Sequence, residues 1–189
     1  MEKEVIVAVS LGIGLSASCG FRVFVPLLAA AIAARLGVFP VHEGFQWLGS
    51  WAAIICFGTA TLIEIAAYYI PFVDNLLDTI STPLAVGAGT LLITSVLPID
   101  DHMLKWIIGL ITGGGAAAAV QGGTVIARLA SSKLTAGAGN HVVATAEHAA
   151  AFGSSFLSFL APLFVAVIMI LVIVVILVKF RRSLVRREH

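Results

Sequence analysis

Charged residues are scarce in this sequence. Asp, Glu, Lys and Arg make up 11% of the 189 residues, whereas soluble domains carry about 25%. The charges form no long run of one sign, and the formal net charge is +1. A nucleic-acid surface needs Lys and Arg clustered on one face. The composition therefore argues against a nucleic-acid partner and against a separate soluble domain.

Cysteines and catalytic motifs are also few. The two cysteines, Cys19 and Cys56, both lie inside apolar stretches, where a buried free thiol is the ordinary state and a disulfide is hard to form. The sequence contains no metal-binding helix motif, no nucleophile elbow and no phosphate loop. We therefore expect neither an enzyme nor a protein with a bound metal or cofactor.

Apolar residues dominate instead. They make up 60% of the chain, and the mean hydropathy is +1.08. A helix needs about 20 apolar residues to cross a bilayer, and Pro162 divides the last apolar tract. The pattern predicts an all-helical transmembrane bundle of about six spans, at residues 5–34, 49–73, 79–97, 106–127, a fifth starting near Asn140, and 163–178. A five-span alternative places the fifth helix in the membrane interface or lets it dip in and back.

The charges predict one integral membrane domain with a fixed orientation. Its halves are residues 1–98 and 99–180, followed by a basic tail at 181–189. Basic residues remain preferentially in the cytoplasm, so we expect the C-terminus and the loop around Lys133 to be cytoplasmic. Six spans then place the N-terminus there too and the loop around Glu43 outside. A bacterial inner membrane is the expected location.

Small residues recur in the first and fourth spans. Gly12, Ser16 and Gly20 are spaced four apart, and such rows let helices approach closely in lipid. Residues 14–22 also overlay on residues 113–121, which places Arg22 opposite Gln121. Two glycine-rich spans that open two halves predict an inverted three-plus-three repeat with a midplane site. A second overlay, "LLDTI" on "VVATA", relates segments of the same direction and conflicts with that scheme.

A charged residue interrupts the first span. Gly20 weakens a helix there, and Pro26 leaves the carbonyl of Arg22 without its N–H partner. We expect the span to be kinked or broken between Gly20 and Pro26, with Arg22 near mid-depth. Glu64 lies close to the same level in the second span and is the predicted partner of Arg22. Arg22, Glu64 and Gln121 are the candidate substrate-binding residues, although an ion pair that serves packing alone is the alternative.

A second group of polar residues is expected at the cytoplasmic end. Carboxylates and an imidazole near a membrane pathway indicate a proton or cation relay, and ordinary capping and interfacial polarity are the alternative. His141 and His148 are two helical turns apart, about 10.5 Å, which is too far for a metal chelate. The candidate relay residues are Asp74, Asp78, Asn140, Glu147 and His148.

Three stretches resemble the motifs of a known family. "GLSASCGFRVFVPLL", "DNLLDTISTP" and "NHVVATAEH" are similar to those of a bacterial family of small integral membrane proteins of unknown function. The resemblance implies a compact multi-span protein and supplies no activity. The motif positions that it implies are Arg22, Asp74, Asp78, Asn140 and Glu147. The family's last motif has a proline and an acid where this sequence has His141 and His148, so the resemblance gives no acidic relay there.

Two classes of function remain. A small transporter or channel-like permease is favoured by the broken first span and the intramembrane charges, and an arginine suits an anionic or lipid-phosphate ligand. A structural or scaffolding membrane protein is the alternative, in which small residues only pack helices or subunits. Membrane lipids are the expected partners, and a homo-oligomer is a candidate assembly. A water-accessible cavity that reaches Arg22 separates the two classes.

Overall fold

All regular structure in the described part of the chain is helical. The computed structural model describes residues 2–135 and 139–185, except for the side chains of residues 71, 72, 74–76, 78 and 182–185. We label the helices α1 to α7; they span Glu2–Ser18, Phe24–Arg35, Trp51–Ala67, Pro71–Thr94, His102–Thr135, Asn140–Leu160 and Pro162–Val185. A short 3-10 turn, Gln46–Gly49, precedes α3. The predicted all-helical class is confirmed.

The break predicted in the first span is present, but the chain reverses there instead of kinking. Helix α1 ends at Ser18 and α2 begins at Phe24. Pro26 lies in the first turn of α2, where a backbone N–H has no helical partner to lose. It therefore fits the start of a new helix and does not kink an old one. Residues 5–34 form a helical hairpin, so the prediction of a single crossing is wrong.

Helix α6 shows that the two arms of the hairpin are antiparallel. Its Ser154 hydroxyl lies 2.7 Å from the hydroxyl of Ser18, at the end of α1. Five residues later Phe159 packs edge-on against Phe39, which follows the end of α2, with ring centroids 6.3 Å apart. Ser158, between them, faces Gly14 in the middle of α1. Helix α6 is therefore parallel to α2 and antiparallel to α1.

The remaining helices alternate in direction in the same way. Ser16 donates to the carbonyl oxygen of Gly89 at 2.7 Å, while Gly12, one turn earlier, faces Ile93, so α4 runs against α1. We name the two ends of the bundle after their loops. The Glu43 end contains the starts of α1, α3, α5 and α7, and the Lys133 end contains the hairpin turn and the ends of α3 and α5. The chain described here therefore starts and finishes at opposite ends, unlike the six-span prediction.

The overlay that suggested an inverted repeat relates helices of the same direction. Helices α1 and α5 run parallel, because both pack antiparallel to α4. The hairpin turn, just after α1, contacts α5 at Gly20. An added Cβ there would lie 2.6 Å from the carbonyl oxygen of Ala117 and 2.8 Å from the nitrogen of Gln121. Only glycine permits so close an approach of two backbones. Residues 14–22 and 113–121 are therefore neighbours, not inverted counterparts.

Helix α5 contains a local change of winding. Its first part, His102–Gly109, leads into a π-helical turn, Leu110–Gly114, before the α-helix resumes. The turn lies against α4, where Gly113 faces the backbone of Gly89. Such single π turns interrupt a helix without ending it, so His102–Thr135 remains one continuous element of 34 residues.

Two helical stretches are long and apolar enough to cross a membrane. They are His102–Thr135, with a mean hydropathy of 1.5, and Pro162–Arg181, with 3.3. The second contains the predicted span 163–178. Three further apolar stretches are shorter: Phe24–Arg35, Trp51–Ala67 and Thr79–Thr94. The last belongs to α4, which starts at Pro71, eight residues before the predicted span.

Candidate functional site

The turn of the hairpin is fixed by a carboxylate from α3. Glu64 accepts hydrogen bonds from the backbone nitrogens of Val23 and Phe24, at 2.8 and 3.1 Å. These are two of the backbone N–H groups that the start of α2 leaves without a helical partner. The carboxylate also lies at the positive end of the helix dipole. Glu64 therefore holds the start of α2 in place.

Arg22 lies in this turn and extends toward α6. The residue is only 2% exposed. Its Nη2 pairs with Oε2 of Glu147 at 2.9 Å, and its Nε donates to Nδ1 of His148 at 2.7 Å. The guanidinium also donates to the carbonyl oxygens of Ala144 and Phe21, at 3.3 and 3.2 Å. One buried cation thus uses all three of its nitrogens.

The predicted pair of Arg22 with Glu64 is wrong. Among the carboxylates whose side chains the structure describes, Glu147 is the one that forms an ion pair with Arg22. Both oxygens of Glu64 accept backbone bonds from the turn instead. The prediction placed Glu64 near the correct level, but a reversing chain directs the arginine to α6 and not to α3.

A second arginine, which the sequence analysis left out of the site, shares the same carboxylate. Arg128 of α5 donates through Nε to both oxygens of Glu147, at 3.1 and 3.2 Å, and through Nη2 to Oε2. A signal for it exists in the sequence. Gln121, Thr124 and Arg128 are spaced three and four apart on one face of α5, and all three are buried.

The ring of Tyr68 lies against both guanidiniums. The central carbon of Arg22 is 3.6 Å from the ring centroid, and that of Arg128 is 4.3 Å away. The hydroxyl pairs with that of Ser81 at 2.8 Å. A cation over an aromatic face is stabilised by the ring quadrupole, more so when water is excluded. Tyr68 is 3% exposed and belongs to this polar cluster, whereas its neighbour Tyr69 is 42% exposed.

His148 completes the polar cluster, which we define as Arg22, Tyr68, Arg128, Glu147 and His148. All five residues are buried. The Nδ1 atom of His148 accepts from Arg22, but its buried Nε2 has no hydrogen-bond partner. Helices α3, α5 and α6 and the hairpin turn each contribute to the cluster, which lies toward the Lys133 end. Arg22 is therefore nearer one end of the bundle than the predicted mid-depth.

The other predicted residues have separate positions. Gln121 is buried beside Gly20. Asn140 exchanges hydrogen bonds with the hydroxyl of Ser132 and so joins α6 to the end of α5. The side chains of Asp74 and Asp78 lie outside the described residues. Among the side chains that are described, no three of His, Cys, Asp or Glu form a group that could hold a metal ion.

A groove of about 360 Å³ runs beside the cluster between α5, α6 and α7. Its walls are mainly apolar and include Phe21, Val120, Gly123 and Ile176. Glu147 is the charged residue in its lining, so the groove reaches the partner of Arg22 rather than Arg22 itself.

Comparison with known proteins gives a family but no activity. The model of a family described as a domain of unknown function, DUF4126, matches residues 9–182. The chain belongs to the DUF4126 family. The DUF4126 match contains every residue of the polar cluster and all of α2 to α6. No curated protein and no solved structure matches the chain.

Proposed function

We propose that this chain is a small multi-pass membrane permease for a ligand that carries an anionic group, such as a carboxylate or a lipid phosphate. The observation that carries the proposal is the polar cluster, in which two guanidiniums, a carboxylate and an imidazole are buried together in a bundle of mainly apolar composition. Ionisable groups inside membrane domains are costly and usually mark a ligand or ion pathway.

The outer surface supports a membrane location. Helix α7 is apolar on nearly every side, and only 17% of its most apolar stretch is buried inside the chain. A helix that is hydrophobic all round and not covered by protein is typical of contact with lipid. Large apolar residues exposed on it are Leu163, Phe164, Val167, Ile170, Leu171, Val174, Val175 and Leu177.

The charges at the two ends support one orientation. The Lys133 end carries Lys133, Lys179 and Arg181 and leads into the basic tail at 181–189. The Glu43 end carries Glu43, Asp100 and Asp101 together with the basic residues Lys3, Arg35 and Lys105, so the orientation rests on the larger number of basic residues at the Lys133 end. Under the positive-inside rule the Lys133 end faces the cytoplasm, in what we take to be a bacterial inner membrane. The C-terminus is then cytoplasmic, as the sequence suggested. The start of α1 faces outward, which reverses the expectation from six spans.

The chemistry of the cluster supports an anionic ligand. A guanidinium presents a planar set of donors that matches carboxylate and phosphate oxygens. Arg22 and Arg128 are held on one carboxylate and one ring, so the donors are already oriented before a ligand arrives. The hairpin also ends two helices at the cluster, and broken helices are where transporters place their sites.

A structural or scaffolding role is the alternative, and the small residues bear on the form it would take, because they pack helices of this chain and not a second subunit. The small residues Gly12, Gly14 and Gly20 contact α4, α6 and α5 in turn. They therefore explain the packing of the bundle and leave no small-residue row of α1 for a second subunit. A homo-oligomer formed through other surfaces stays a prediction.

Cysteine labelling tests the orientation. In a Cys56→Ser background, cysteines introduced at Ser132 and Ser183 should resist a membrane-impermeant maleimide added outside whole cells, while cysteines at Glu43 and Lys3 should react. Seven alternating helices place Lys3 at the Glu43 end, whereas six spans place it inside. Protection of Lys3, or labelling of Ser183, would contradict the proposed arrangement.

Flux through reconstituted vesicles tests the permease. Lysine at position 22 keeps a positive charge but cannot donate to Glu147 and His148 with the geometry of a guanidinium. We expect Arg22→Lys to lower the flux of radiolabelled phosphate or fluorescent lysophosphatidate by about tenfold or more. Flux is normalised to folded protein in the same sample, because the substitution also removes structural hydrogen bonds.

Arg35→Lys is the matched control. Arg35 donates to the carbonyl oxygen of Gly49 and lies over Trp51 at the Glu43 end, whereas the cluster lies toward the opposite end of the bundle. Its replacement should leave flux unchanged. Wild-type flux in folded Arg22→Lys protein, or no flux of any anion or lipid by the wild type, would contradict the permease.

A further inference from the structure

The hydrogen on the imidazole of His148 can be located from its partner. The Nε of Arg22 is always protonated and can only donate, so the Nδ1 that faces it at 2.7 Å must accept. A ring whose Nδ1 accepts carries its hydrogen on Nε2. His148 is therefore the neutral Nε2–H tautomer, with its donor directed away from Arg22.

That donor has nothing to bind. The Nε2 atom is buried and has no hydrogen-bond partner in the part of the chain that the structure describes, and His148 as a whole is 8% exposed. A buried donor left unsatisfied destabilises a fold, which is why such atoms are rare and need a specific explanation. Ordinary packing does not require a donor here, since Nδ1 alone accepts from Arg22.

Two tyrosines flank the imidazole. Tyr68 meets it edge-on from inside the cluster, with centroids 6.3 Å apart. Tyr69, which follows the end of α3 and is 42% exposed, packs against it at 5.7 Å. Among the described side chains, α6 supplies the ring stack and the hydrogen bond that hold Tyr69: a parallel stack on His141 and a 3.1 Å hydrogen bond to Thr145. Of the two tyrosines that contact the imidazole, Tyr69 is the exposed one, so it is the ring that is free to move toward solvent.

We propose that the Nε2–H of His148 donates to an oxygen of the ligand's carboxylate or phosphate group, and that Tyr69 is the side chain that moves to admit it. The inference rests on the proposed function and deepens it. An oxyanion supplies the missing acceptor, and the neighbouring cation of Arg22 favours an anion over a neutral carbonyl. The group can belong to a free solute or to a lipid head group.

One substitution removes the donor and keeps the acceptor. The Oδ1 of asparagine can occupy the place of Nδ1 and accept from Arg22, but asparagine has no atom at the place of Nε2. We expect His148→Asn to weaken binding by about tenfold or more, with little change in melting temperature. Titration calorimetry of the purified full chain in detergent measures it with two probes, inorganic phosphate and lysophosphatidate.

The two probes identify the source of the oxyanion, and a control isolates the site. Binding of phosphate alone indicates a free solute, and binding of lysophosphatidate alone indicates a lipid head group. His102→Asn is the control, because His102 lies at the Glu43 end and contacts Trp106. Equal binding by His148→Asn and the wild type overturns the role of His148 only. Binding of neither probe by the wild type overturns the oxyanion site and the proposed function together.

Nitrogen NMR of the imidazole tests the same inference in the wild-type protein, and one variant adds to it. In the wild type without probe, His148 should show a protonated Nε2 and an unprotonated Nδ1. Addition of the probe that binds should shift the Nε2 proton downfield, as a new hydrogen bond requires. Tyr69→Ala should accelerate exchange of that proton with water by about tenfold or more. A protonated Nδ1, or a Nε2 signal that the bound probe leaves unchanged, overturns the proposal.

Discussion

Replacing Glu147 by Gln is expected to lower the free energy of unfolding by about 3 to 5 kcal/mol. The carboxylate pairs with Arg22 and with Arg128, and all three residues are buried. Glutamine has nearly the same shape, so the loss reports charge and not volume. Removing the anion leaves the buried guanidinium of Arg22 without the carboxylate that it pairs with among the described residues, in a medium that screens its charge weakly. Unfolding in detergent, followed by circular dichroism, measures the change.

Glu43→Gln is the control for this result. Glu43 is an exposed residue in the loop between α2 and α3, and a surface substitution of this kind changes stability by less than about 0.5 kcal/mol. A Glu147→Gln protein within about 1 kcal/mol of the wild type would mean that the arginines do not depend on this carboxylate.

Gly20→Ala is expected to lower the free energy of unfolding by about 1 to 3 kcal/mol. A Cβ at position 20 would lie 2.6 Å from the carbonyl oxygen of Ala117, which is backbone and cannot rotate away. The hairpin turn and α5 would have to separate, and the turn carries Arg22. We therefore expect flux to fall together with stability, because the guanidinium moves relative to Glu147.

Gly115→Ala is the matched substitution on the other side of this contact. Gly115 lies in α5, two residues before Ala117, and an added Cβ there meets no atom within 4 Å. Alanine in a helix is more favourable than glycine by about 0.5 to 1 kcal/mol. The two alanines should therefore act in opposite directions, and a stabilised Gly20→Ala protein would contradict the close approach of α1 and α5.

The sequence predicted which polar residues matter better than it predicted their partners. The sequence indicates Arg22 and Glu64 as charges within apolar spans, and Glu147 and His148 as polar residues at the cytoplasmic end; all four are buried. Burial follows from local composition, since a lone charge in an apolar helix must turn inward. The partner of a buried charge depends on the direction of each helix. Because the sequence does not reveal that the chain reverses at the hairpin, it assigns Glu64 to Arg22.

The reversal itself was hard to predict for a physical reason. Residues 5–34 contain one charge and no polar loop, so their composition suits one kinked crossing and two short helices equally well. Tertiary contacts decide between the two arrangements. Glu64 accepts hydrogen bonds from the N–H groups of Val23 and Phe24, and Gly20 packs against α5. Both contacts come from residues far along the chain.

The sequence fails to predict the role of Arg128 for a different reason. The predicted fourth span ends at residue 127, so the sequence places Arg128 just outside it, beside the cytoplasmic loop around Lys133. Helix α5 continues for seven residues beyond it, to Thr135, so the position is interior to the helix. The polar face that it shares with Gln121 and Thr124 was the available signal.

The odd number of alternating helices bears on gene duplication. In the described chain α1 begins at the Glu43 end and α7 finishes at the Lys133 end, so a second copy fused in tandem after α7 would begin at the Lys133 end. Each helix of that copy would run opposite to its counterpart in the first. A single fusion event would thereby create a pair of domains with inverted topology, the arrangement from which many larger transporters are built.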